Sequence, residues 1–79
     1  MNKSSKIIAE LEEEFVELYK ILKFEGLVDS GGMAKQIIAD GQVIVNGLVE
    51  TRKRKKISSG DKIEYSGQSI DVKGEKARP

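Results

Sequence analysis

Two stretches of this chain carry side chains and backbone suited to holding anions. The first is Arg52-Lys53-Arg54-Lys55-Lys56, five consecutive cations with no acid among them. Such a run can neutralise phosphates, and each contact adds a salt-dependent term of about −0.7 to −0.9 to the slope of binding against salt. If the run is extended, alternation of side chains lets about three of the five face one ligand. The second stretch is Ser30-Gly31-Gly32. Serine is a favoured helix N-cap, and the first N–H groups of a helix point toward an anion. Glycine has no Cβ, so a phosphate can come close to that backbone. Lys35, one turn further on, adds charge to the same end. Two hydrogen-bonding candidates lie near these stretches. Thr51 can bond a phosphate or a 2′-hydroxyl, or can simply favour a strand. Asn46, followed by Gly47, is a candidate ligand contact, though the tight turn by itself accounts for an asparagine there and is the favoured reading. The bland alternatives for the two main stretches are a solvated charged loop and an ordinary capped helix start.

Other chemistries are excluded by what is missing. There is no histidine and no cysteine. That removes the commonest acid–base catalyst, the thiolate metal sites and any disulfide framework. Ser30 has no histidine to activate it as a nucleophile. Glu12-Glu13-Glu14 contains metal-ligating groups, but three acids in a row more often begin a helix. No enzyme activity, metal or cofactor is expected. With 79 residues, one domain is expected, burying roughly 60–65% of its unfolded surface. No apolar run approaches the roughly 18 residues of a membrane span. No cationic start followed by an apolar stretch suggests a secretory signal, so a cytoplasmic protein is expected. The net charge of +1 hides a segregation. Residues 1–25 hold four lysines and six glutamates, whereas residues 26–60 hold six cations and three acids. A local basic patch can therefore meet a polyanion although the whole chain is nearly neutral.

These groups need elements to position them. Residues 1–5 are expected to be a disordered N-terminus, 6–73 a single domain and 74–79 a charged flexible tail. In Lys6–Glu12, Ile7, Ala9 and Leu11 alternate as in a strand. Yet Ile8, Leu11, Phe15, Leu18 and Leu22 keep a spacing that allows one helix from Ser5 to Phe24, and periodicity leaves both open. Glu13–Glu25 is predicted helical, with Phe15, Leu18, Tyr19 and Leu22 on one face and Ile21 beside them. Glu12–Glu14 would suit its positive end, Lys20 and Lys23 its negative end, and Gly26 its stop. Phe15, Tyr19 and Phe24 are expected to pack this helix rather than stack on bases. A second helix runs from Ser30 to Gly41, with an apolar stripe of Met33, Ala34, Ile37 and Ile38. Gln42–Val45 and Leu48–Glu50 flank Asn46–Gly47, the strongest short signal for a β-hairpin. Ile57 is an isolated apolar anchor. Ser58–Asp61 reads as a turn, and Lys62–Tyr65 and Gln68–Val72 read as strands joined at Ser66–Gly67. The fold class is α+β, two helices against a small, mostly antiparallel sheet.

Helix, helix, Asn-Gly hairpin, basic segment, Gly-Asp turn and strand, in that order, resemble the RNA-binding domain named after small-subunit ribosomal protein four, the αL RNA-binding motif. The matching residues are Leu18 with Lys20, Glu25-Gly26-Leu27, Ser30 with Ala34-Lys35, Gly41, Val45-Asn46-Gly47, Thr51 and Gly60-Asp61. They cover Phe15 to Tyr65, and their order and spacing are more specific than any one of them. Ser30-Gly31-Gly32 and Glu50–Lys56 resemble most nearly the small stand-alone YbcJ- and YaaA-like group. This resemblance implies a strand at Ile7–Leu11 beside the C-terminal strands, and an isolated domain with no attached enzyme. It also implies a partner: structured RNA, such as ribosomal RNA or a ribosomal particle. The RNA-binding residues would be those named above, from Ser30, Gly31, Gly32 and Lys35 through Asn46 and Thr51 to the cations 52–56. The chain departs from the wider family where two usual arginines fall on Glu17 and Gly31. Two other partners fit the same cations. One is an acidic protein meeting the basic run. The other is duplex DNA, against which the glycines and the lack of arginine on the second helix argue.

Overall fold

The structure, a computed structural model, describes residues 5–74. The expected disordered start and charged tail lie outside these residues, apart from Ser5 and Gly74, which end two strands. Nine elements follow in order: β1 (Ser5–Leu11), β2 (Phe15–Glu17), α1 (Leu18–Phe24), α2 (Gly31–Ala39), β3 (Ile44–Val45), β4 (Leu48–Val49), β5 (Lys56–Ser58), β6 (Lys62–Tyr65) and β7 (Gln68–Gly74). Five strands form one sheet in the order β1-β7-β6-β3-β4, and β2 and β5 form a separate antiparallel pair. Only β1 and β7 run parallel within the larger sheet, so it is mostly antiparallel, as the sequence predicts.

The two hairpins of the large sheet follow from turn chemistry. Asn46 and Gly47 take φ of 53° and 85°, and Ser66 and Gly67 take 52° and 79°. Both pairs lie in the left-handed region that a two-residue hairpin needs. β1 takes the strand alternative: Ile7, Ala9 and Leu11 turn to the core while Lys6, Ile8 and Glu10 face solvent. Its pairing runs from Ser5 opposite Gln68 to Leu11 opposite Gly74.

The first helix is shorter than predicted. Phe15–Glu17 is extended and pairs with Lys56–Ser58, and the helix begins only at Leu18. The β-branched Val16 sits opposite the fully buried Ile57, and that long-range pair outweighs the local helical pattern. Glu12–Glu14 therefore precede a strand and do not form the first turn of α1. Leu18, Ile21 and Leu22 supply the buried stripe of α1, and Ala34, Ile37 and Ile38 that of α2, at the spacing a helix requires. Three of the expected apolar contacts are absent: Phe15 lies on β2, Met33 is exposed, and Phe24 is 68% exposed. The core closes around Val45, Ile57, Ile63, Ile70 and Val72 from the strands and Val43 just before β3, against the two helical stripes.

Candidate nucleic-acid interface

The basic run is a pinned loop rather than a strand. Only Lys56 enters β5. A turn closes between the Arg52 carbonyl and the Lys55 N–H at 3.3 Å. The Leu18 N–H donates to the Lys55 carbonyl at 2.9 Å, and the Tyr19 N–H donates to the Lys53 carbonyl at 3.1 Å. These are the first N–H groups of α1, which no helical partner can satisfy. The Glu17 side chain at the cap position makes no capping bond, so the loop backbone does this work. The start of α1 is thereby closed to anions, and the loop is held from behind. The side chains of Thr51, Arg52, Lys53, Arg54 and Lys56 are exposed, with Lys55 half-buried.

The five cations are not equivalent. Glu50 grips Arg52 through three hydrogen bonds: from the Arg52 N–H and Nε at 2.9 Å each, and from Nη2 at 3.1 Å. The Glu50 side chain is only 12% exposed, against 71% for Arg52. The hydrogen bond from Arg52 holds the Glu50 carboxyl below the usual glutamate pKa, and the same contact raises that of Arg52. Arg54 Nη1 meets Glu17 Oε1 at 3.2 Å, and Lys20 meets the same oxygen at 3.8 Å. A guanidinium therefore does stand at the entrance to α1, where the resemblance places an arginine, but it arrives from the loop. Among the described residues Lys53, Lys55 and Lys56 make no ion pair. The Lys56 ammonium lies 4.8 Å from the centre of the Phe15 ring.

At the start of α2, Ser30 is extended, with φ −150° and ψ 162°, and its Oγ accepts from the Met33 N–H at 3.1 Å. The Ala34 N–H donates to the Ser30 carbonyl. The N–H groups of Gly31 and Gly32 have no protein partner among the described residues.

These two segments meet at Tyr19. Its ring lies beside Gly31, where an added Cβ would be 3.7 Å from two ring carbons. The Lys35 ammonium is 4.6 Å from the ring centre, the Arg54 guanidinium 5.4 Å and the Lys20 ammonium 5.9 Å. So Gly31 and Lys35 of α2 and Arg54 of the loop lie beside one half-buried aromatic ring. Tyr19 packs against the core, as its place in the period of Leu18 and Leu22 predicts. Leu18, Ile21 and Leu22 make the fully buried stripe, and Tyr19 lies on its flank, half-buried, with the three cations around its ring.

Asn46 lies elsewhere, in the β3–β4 turn. Its Nδ2 donates to Asp61 Oδ1 at 2.9 Å, and its Oδ1 accepts from the Lys62 N–H at 2.9 Å. Asp61 Oδ2 accepts from the Ser58 N–H at 2.9 Å. Two of the motif's matching residues, Asn46 and Asp61, are thus partners in one latch. Thr51 is exposed beside the loop without a side-chain hydrogen bond among the described residues. No three acidic side chains among the described residues gather as a metal site. No helix of the structure is long and apolar enough to cross a membrane.

Two short helices packed on a mostly antiparallel sheet define the class. The chain belongs to the S4 domain family, whose model matches residues 9–73. It is 53% identical over 57 residues to the "Putative RNA-binding protein YbcJ" of Escherichia coli (strain K12), a match covering 72% of this chain and 81% of that one. It is 33% identical over 57 residues to the "Probable ribosome maturation protein RlbA" of Bacillus subtilis (strain 168), covering 72% and 80%. The solution structure of Escherichia coli YbcJ, described as having an αL motif involved in RNA binding, superposes with a TM-score of 0.64 at 42% identity. That superposition covers 92% of this chain and 91% of YbcJ.

Proposed function

We propose that this protein is a non-catalytic RNA-binding protein that holds structured RNA, ribosomal RNA or a ribosomal particle, by its phosphates. The binding surface is the start of α2 together with the 51–56 loop. The observation that carries the reading is the convergence of Gly31, Lys35 and Arg54 on the Tyr19 ring. It gives one face where backbone donors and side-chain cations reach the same ligand. The Escherichia coli relative, an RNA-binding protein by name, and the Bacillus subtilis relative, a ribosome maturation protein by name, support RNA and the ribosome respectively. Phosphate and shape contacts dominate over base reading in such a surface, because lysines carry charge without a fixed hydrogen-bond pattern. Within the loop Lys53, Lys55 and Lys56 make no ion pair among the described residues and are its freest cations, whereas Arg52 is held by Glu50, and Arg54, beside the ring, shares Glu17 with Lys20.

The test is binding to a structured RNA at low and moderate salt. Changing Lys53, Lys55 and Lys56 together to Ala is expected to lower affinity about tenfold or more, and to flatten the salt slope by about one contact for each phosphate lost. Arg52→Ala alone should change the slope less than any one of the lysines. An unchanged affinity and slope in the triple variant would remove the loop from the site. Binding to an acidic protein that excess RNA fails to displace would favour the protein-partner reading instead.

A further inference from the structure

Tyr19 packs against the core on one side, and it carries more charge around its ring than any other aromatic among the described residues. Three cations from three separate segments lie within 6 Å of its centre: Lys20 from α1, Lys35 from α2 and Arg54 from the loop. A single carboxylate, Glu17, is shared between two of them. The ring attracts each cation, but the cations repel one another across it. Nearby phosphates would relieve that repulsion by drawing Lys35 and Arg54 outward. The ring would then be left half-exposed, flanked by bound phosphates, with Gly31 beside it. An aromatic face next to phosphate-binding cations is the arrangement that accepts a nucleobase, because every base offers a face to stack.

We infer that Tyr19 is a stacking platform for one unpaired base of the bound RNA, so that the preferred ligand is a helix carrying a bulged or flipped-out nucleotide. This rests on the proposal that this face binds RNA, and it adds a requirement that phosphate binding does not carry. A continuous A-form duplex keeps its bases stacked on one another and gives Tyr19 nothing to stack on. Lys35 and Arg54 would hold the phosphates on either side of the extruded nucleotide. Gly31 would leave room for the sugar–phosphate backbone beside the ring.

The probes are three RNA hairpins: one with a single bulged adenosine, one with an abasic residue at the bulge, and one with the bulge deleted. The protein is expected to bind the adenosine bulge about tenfold more tightly than the abasic one. Tyr19→Phe should keep that ratio, and Tyr19→Leu should reduce it to about one. The chain has two tyrosines and no tryptophan, so Tyr65→Phe leaves Tyr19 as the sole fluorophore of its type. In that background the adenosine bulge should quench the emission and the abasic bulge should not. This second readout needs no change at Tyr19 and so is immune to misfolding of the Tyr19 variants. Equal affinity of the unaltered protein for all three hairpins, or equal quenching by the adenosine and abasic bulges, overturns the stacking role while leaving phosphate binding intact. No binding of any hairpin at low salt overturns the RNA reading itself.

Discussion

At the β3–β4 turn the chain uses its own polar groups. The Asn46 amide donates to Asp61 and accepts from Lys62, and the second Asp61 oxygen accepts from Ser58. At Tyr19 the balance is reversed. Three cations lie around a half-buried ring with one carboxylate shared between two of them, and the Gly31 and Gly32 N–H groups find no protein partner among the described residues. Both regions contain residues that match the αL motif. The first is closed on itself and fastens β3 and β4 to β6. The second has donors and charge in excess of what the fold consumes. A motif residue can therefore serve the fold or the ligand, and the count of its satisfied partners tells which. Asn46, a candidate contact from sequence, belongs to the fold by that measure.

The largest effect expected from this contrast is at the latch. Asn46→Ala removes two hydrogen bonds and puts a Cβ-bearing residue without a local partner at φ 53°. The loss should be about 2–3 kcal/mol of folding stability, measured by urea denaturation. Asn46→Gly keeps the backbone conformation and should lose less. RNA affinity and salt slope of the folded fraction should be unchanged in both. If either variant, fully folded, weakens RNA binding as much as the triple lysine change does, the two regions are not separate in function.

A smaller and opposite pair of effects is expected at the start of α2. Neither Gly31 nor Gly32 has a positive φ, and an added Cβ would meet only ordinary contacts, 3.7 Å from the Tyr19 ring and 3.9 Å from Ser30 Oγ. The fold therefore does not need glycine at either position. Gly31→Ala with Gly32→Ala should raise stability by up to about 1 kcal/mol per residue, because alanine is the better helix former. The same change should lower RNA affinity several-fold, since each Cβ stands in the approach to an open N–H. Thermal melting and RNA titration on one sample check both signs. An affinity that stays level while the melting temperature rises would reduce the glycine pair to a helix entry.

These elements differed in how far they could be read in the sequence, and the difference follows the range of the forces involved. The Asn46–Gly47 and Ser66–Gly67 turns and the Ser30 cap depend on a few adjacent residues, and the structure has all three. The parallel pairing of β1 with β7 depends on residues at opposite ends of the domain. Periodicity left β1 undecided, and the family resemblance supplied the strand. Phe15–Glu17 carries a helical pattern, yet Ile57 draws Val16 into a strand pair. The basic run was evident as charge, but its division into held and open cations was not. Glu50 and Arg52 are two apart in sequence, but no periodicity shows that both carboxylate oxygens take up the guanidinium. The cations around Tyr19 were hidden because they come from three segments.

The smallest effect separates the held cation from the open ones by pH. Glu50 has its pKa lowered in the folded protein, first by the hydrogen bond from Arg52. A depressed carboxylate contributes stability that is complete above its unfolded pKa and is lost as pH falls through its folded pKa. The unaltered protein should therefore lose stability relative to Glu50→Gln on acidification through and below the ordinary glutamate range, and the two should converge at the acid end. Arg52 is largely exposed, so water and salt screen the pair, and added salt should narrow the difference at neutral pH. Denaturation curves of both proteins across that pH range, at two salt concentrations, measure it. RNA binding near neutral pH discriminates further. Glu50→Gln frees Arg52 and should steepen the salt slope, adding a cation to the surface that Lys53, Lys55 and Lys56 already form. A slope that stays the same would place Arg52 outside the reach of the phosphates even when it is released.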